Sequence, residues 1–137
     1  MNNLFLTLLF FLLASLNLNA QNIIEVEISN FASDKGVAQI GLFNTETSFL
    51  EKVYKEKEVK IRDQKVVAIF TDIPDGTYAI SVFHDKNKDR KLNTFLGIPT
   101  ENYTASNNAS SKFGPPKWKD AKFEVGNGEI VKQKISL

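Results

Sequence analysis

The residues best suited to chemistry lie in one short run. Asp85-x-Asn87-x-Asp89-x-x-x-Asn93 places oxygen-bearing side chains at positions one, three, five and nine of a loop. That spacing matches the first part of an EF-hand loop, and Ca²⁺, a hard cation that takes oxygen ligands, suits alternating Asp and Asn. The main-chain carbonyl of Lys91 falls at position seven. Position twelve is Leu96 rather than Glu, so a bidentate ligand must come from elsewhere, and Glu101 is the candidate if the loop folds back. Position six is Arg90 rather than the Gly that a sharp turn favours. Lys86, Lys88, Arg90 and Lys91 outnumber the two carboxylates of the run, and their repulsion lowers cation affinity. Two readings stand. One is a weak Ca²⁺ site of the extracellular range, Kd about 10⁻⁴–10⁻³ M. The other is a metal-free loop shaped by Asp and Asn side chains that bond their own backbone.

Other chemistry is thinly represented. His84 is the sole histidine and there is no cysteine, so a zinc site of several N or S ligands has no donors. Ser81 and Ser106 lack the surroundings of a nucleophile elbow. A hydrolase using Asp85, Asp89 and Glu101 is the alternative enzymatic reading, without a visible set of nucleophile, base and orienting group. Tyr103, Phe113 and Trp118 share a long polar stretch with Asn102, Asn107 and Asn108. Tyr103, Asn107, Asn108 and Trp118 are the candidate ligand-binding residues, since aromatic bodies give area and amides give direction to a glycan or peptide. The competing reading has the same residues pinning a long loop to a sheet, stiffened by Gly114-Pro115-Pro116.

These residues need a frame, and the frame is read as strands. Residues 22–28 alternate apolar and polar, with Ile24, Val26 and Ile28 on one face. Residues 37–43 repeat the pattern beyond Asp34-Lys35-Gly36, and the two segments read as a hairpin. Residues 59–61 and 66–70 read as a second hairpin turning at Asp63-Gln64. Between the pairs, Phe49, Leu50, Val53 and Tyr54 recur at helical spacing, and Thr47 or Ser48 suits the start of a short helical turn. Pro74-Asp75-Gly76 is a turn, and Tyr78, Ile80 and Val82 of the following strand share one face. Residues 85–119 form a long irregular connection, a length usually reserved for function or disorder. Residues 121–125 and 129–135 close the chain as strands around Gly126-Asn127-Gly128.

The N-terminus assigns a compartment. Residues 4–14 are uncharged and nearly all apolar, too short for a bilayer span of roughly 20 residues but suited to a secretory signal. Ala20 suits signal peptidase, so residues 1–20 are expected to be removed and residues 21–137 to form one domain, secreted or periplasmic, with no membrane span. With 17 Lys and Arg against 16 Asp and Glu, no basic excess points to nucleic acid.

The run Asp72-Ile73-Pro74-Asp75-Gly76-Thr77-Tyr78 resembles the turn-and-strand of prealbumin-like sandwiches. Val82 to Asp89, Leu96-Gly97-Ile98-Pro99, Glu101, Tyr103, Ser106 to Ala109, Gly114-Pro115-Pro116 and Asp120 to Phe123 together resemble the DUF2141 family of small exported bacterial proteins. Arg90, Asn93, Thr104 and Ala105 depart from that family's usual Gly, Asp and Gly-aromatic pair. The resemblance implies a β-sandwich and carries no activity. The expected fold is therefore all-β, a single antiparallel β-sandwich of prealbumin or immunoglobulin type with about seven strands. The expected role is a non-catalytic exported binding or accessory module with a small molecule, a glycan or an envelope protein as partner. A structural subunit of the cell envelope is a further alternative.

Overall fold

The computed structural model describes residues 21–110 and 113–137. The signal segment expected at residues 1–20 lies outside the described residues. Ten strands are formed among them: β1 (Asn22–Ser29), β2 (Val37–Phe43), β3 (Lys55–Lys60), β4 (Val66–Ile73), β5 (Gly76–Asp85), β6 (Thr94–Phe95), β7 (Ile98–Pro99), β8 (Tyr103–Ala105), β9 (Phe123–Val125) and β10 (Ile130–Ser136). A 3₁₀ turn (Ser106–Asn108) and a single helical turn, α1 (Trp118–Ala121), complete the described chain. The protein is all-β with several sheets and almost no helix, consistent with a β-sandwich. No helix among the described residues is long and apolar enough to cross a membrane.

One sheet has the order β10-β1-β4, a second runs β3-β2-β5-β8 with β9 also paired to β5, and β6 and β7 form a small third. The alternation in β1 follows from this layering, because Ile24, Val26 and Ile28 are buried and their neighbours half-exposed. Facing them from the second sheet are Ala38, Ile40 and Leu42 of β2 and Tyr78, Ile80 and Val82 of β5, all in one buried cluster. Phe31, Ile61, Phe70 and Ile135 belong to the same core. The Tyr78 hydroxyl donates to the Pro74 carbonyl at 2.8 Å. Burial, then the nearby Tyr54 and Asp75, raises its pKa above the ordinary tyrosine value.

Four local expectations are corrected. β1 and β2 are not a hairpin: β1 pairs with β4 and β10, and β2 with β3 and β5. Their connection carries the buried Phe31 into the core, so it crosses between sheets rather than folding back within one. The chain does turn at Asp63 and Gln64, both at positive φ, but β3 and β4 then part into different sheets after the single bridge Arg62–Lys65. The sandwich is also not wholly antiparallel, because β10 runs parallel to β1. Finally, the segment after Phe43 begins its turn at Thr45, two residues before Thr47. Thr45 Oγ1 accepts the Ser48 N–H at 3.2 Å, and Leu50, at φ 64°, ends any helical course.

A second, smaller cluster sits on the outer face of the second sheet. Phe43, Ala79 and Ala105 are covered there by Phe49 and by Ala109, Ala121 and Trp118. Much of the long connection therefore has a packing role.

Candidate functional site

β5 delivers the site. Its last two residues, His84 and Asp85, are fully buried, although its chain continues directly into the exposed segment Lys86 to Lys91. Asp85 ends the strand and organises the loop beyond it. One carboxylate oxygen accepts the Asp89 N–H at 3.1 Å; the other accepts the Arg90 N–H at 2.9 Å and the Gln39 amide at 3.1 Å. A buried carboxylate needs such donors, and the turning loop supplies them. Gly36, at φ 79°, permits the close approach: a Cβ there would overlap the Asp85 carbonyl.

Glu101 closes the loop from the other side. Its two oxygens accept the N–H groups of Lys86, at 3.0 Å, and Asn93, at 3.1 Å. The expectation that the loop folds back onto Glu101 thus has a geometric counterpart, with backbone amides as the partners. Asp89 accepts the Lys91 N–H at 2.9 Å and the Asn87 amide at 3.0 Å. With its amide oriented to satisfy its neighbours, Asn93 donates to Asp89 and to the Lys91 carbonyl and accepts from Asn87. Asp85, Asn87, Asp89 and Asn93 therefore share one hydrogen-bonded turn in which the Lys91 carbonyl is an acceptor, and Glu101 braces it through the backbone of Lys86 and Asn93. The amide nitrogens of Asn87 and Asn93 point at Asp89, where a cation would require oxygens. Among the described residues, no group of three or more His, Cys, Asp or Glu is arranged to hold a metal ion.

Outside the loop, Gln39 also donates to Glu58 at 2.8 Å, and Glu58 pairs with Arg90 at 3.2 Å. Those bonds tie the loop to β2 and β3. His84 Nε2 lies 2.7 Å from the Lys35 carbonyl, so this nitrogen carries the proton. Among the described residues no group hydrogen-bonds its buried Nδ1, and Phe31 packs edge-on to the ring.

Three of the four candidate ligand-binding residues serve as anchors. The Asn107 amide donates to the carbonyls of Asp120, at 3.2 Å, and Lys122, at 3.0 Å. Asn108 accepts the Ser136 N–H at 2.8 Å. Trp118 stacks edge-on against Phe49 with ring centroids 5.7 Å apart. Ser106, fully buried, accepts the Ile80 N–H at 2.9 Å and donates to the Ala121 carbonyl, which places its hydroxyl in a structural latch.

Tyr103 is elsewhere. It lines an open groove of ≈ 570 Å³ with Leu92, Ile98, Pro99, Phe113 and Pro115. Beside the groove, β6 and β7 form a miniature hairpin whose two-residue turn is Leu96-Gly97. Phe95 is 69% exposed, Leu96 87%, Ile98 69% and Phe113 93%. Sequence reasoning alone misses this cluster. Its signal is three apolar residues, Phe95, Leu96 and Ile98, inside an otherwise polar connection.

Fold and site together define a class: an all-β protein of stacked sheets with a carboxylate-stapled loop at one end of β5. The family model described as an uncharacterized protein conserved in bacteria, DUF2141, matches residues 26–133, and the chain belongs to that family. No curated protein and no solved structure matches it significantly.

Proposed function

We propose that this chain is an exported, non-catalytic binding or accessory module, built on a sandwich of prealbumin or immunoglobulin type. One observation carries the reading. The carboxylates that could do chemistry, Asp85, Asp89 and Glu101, are engaged by backbone N–H groups. They build a loop, and the chain beyond it presents Phe95, Leu96 and Ile98 to solvent. An exposed apolar cluster on a rigidly mounted loop is the usual form of an interaction site. A hydrolase would instead need a carboxylate free to take or give a proton. Export rests on the apolar segment and on Ala20.

Calcium is a second reading, favoured by the gathering of Asp85, Asn87, Asp89 and Asn93 around one turn. If the amides of Asn87 and Asn93 turn over, their oxygens join those of the carboxylates. The chemistry supplied would be structural, holding the loop.

Thermal unfolding of the protein recovered after export tests both readings. A soluble glycan or peptide that binds raises the melting temperature saturably by mass action, and Phe95→Ser removes that rise. Turnover of a hydrolysable substrate that is lost in Asp85→Asn would contradict the non-catalytic reading. Millimolar Ca²⁺ raising the melt more than Mg²⁺ supports the second reading, because Mg²⁺ demands a smaller octahedral cage. Identical melts in EDTA and Ca²⁺ remove it.

A further inference from the structure

The hairpin β6–β7 carries an oddity of backbone chemistry. Leu96 has φ 50° and Gly97 φ 77°, so both central residues of the turn are left-handed. Two-residue hairpin turns of this kind favour Asn-Gly or Asp-Gly, since a bulky side chain is strained at positive φ. Here the strained position holds leucine, and that leucine is 87% exposed. Neither local backbone preference nor burial accounts for it. Phe95, Ile98 and Phe113 extend the same protruding surface.

Cations adjoin it. Lys86, Lys88 and Lys91 are exposed on the stapled loop that leads into the hairpin. Ion pairs among the described residues join Arg90 to Glu58 and Lys132 to Glu25, so these three ammonium groups have no carboxylate partner there. The nearby acids Asp85 and Glu101 are buried beneath the loop, which leaves Asp89 as the exposed acid of the Lys86 to Lys91 run.

We propose that this end of the molecule docks on an anionic lipid surface. The inference rests on the binding-module reading and names its partner. Phe95, Leu96 and Ile98 enter the headgroup and acyl boundary, and the three lysines meet the headgroup phosphates. Protruding apolar side chains flanked by cations suit a fluid interface that closes around them. Electrostatic attraction adds to the buried apolar area and selects anionic over neutral lipid.

The test is co-sedimentation of the protein, purified after export with its N-terminus verified, with vesicles of phosphatidylcholine alone or mixed with phosphatidylglycerol. Binding is expected to the mixed vesicles only, falling as salt rises. Leu96→Asn is the decisive variant. It relieves the strained turn, so its melting temperature is expected to equal or exceed that of the parent, while vesicle affinity falls about tenfold through lost apolar contact. Lys88→Glu with Lys91→Glu is expected to lose binding with an unchanged melt, and Val67→Asp, on the other sheet, to retain it. Inorganic phosphate at matched ionic strength is expected not to compete. Three results would overturn the proposal: no binding to anionic vesicles, Leu96→Asn binding as the parent does, or competition by phosphate alone. If a soluble ligand still raises the melt while vesicles fail to bind, the lipid surface is wrong and the binding module stands.

Discussion

Asp85 has no exposed surface, yet its carboxylate takes three hydrogen bonds, two of them from the backbone of the loop that it starts. Removing it leaves those donors unmet in a buried setting. Asp85→Ala is expected to cost about 1.5–3 kcal/mol in urea unfolding, the range for hydrogen bonds to a charged group. Tyr78 offers a residue-level test that depends on pH. Below the unfolded-state value, about 10, both states keep the phenol proton and its contribution to stability is complete. Above that value the unfolded chain releases the proton while the folded chain, with its raised pKa, retains it. Stability therefore falls as pH rises through the folded pKa. Tyr78→Phe is expected to flatten that alkaline decline, measured by denaturant melts from pH 8 upward, and to cost about 1 kcal/mol at neutral pH for the lost bond to Pro74.

Among the elements, β1 and β5 were the most legible, because period-two alternation reports burial on one face directly. Ile80→Ala is expected to destabilise by about 2–4 kcal/mol as a cavity forms between the sheets. Val67→Ala, on the exposed face of β4, is expected to change stability by under about 0.5 kcal/mol. Stability curves giving similar values for the two would mean that the faces are assigned wrongly. Strand pairing was not legible. The alternation in residues 22–28 and 37–43 is the same whether the strands share a sheet or face each other across the core. A tight turn such as Asp63-Gln64 likewise permits either outcome. Long-range packing decides: Phe31 and Ile61 enter the core from the connections. The ion-loop residues were legible as a group because the Asp and Asn spacing is local. Their partners were not, since the Gln39 side chain comes from a distant strand and Glu101 reaches its backbone amides only once the loop has closed. The exposed turn Leu96-Gly97 was illegible because an apolar residue in a polar segment gives no sign of its φ.

At the scale of the molecule, β5 is the axis on which the layers meet. It buries Tyr78, Ile80 and Val82 toward one sheet and supports Ala79 under the outer cluster. It then ends in the buried Asp85, where the stapled loop begins. The sheets thereby leave Phe95, Leu96, Ile98 and the three lysines exposed beyond the core. This arrangement needs the loop to hold its shape by its own hydrogen bonds. Amide hydrogen exchange of the protein in EDTA tests that most directly. The N–H groups of Lys86, Asp89, Arg90 and Asn93 are expected to exchange well below the rate of an unstructured chain, because Asp85 and Glu101 engage them. Unprotected exchange at all four, with the β5 amides still protected, would contradict the account.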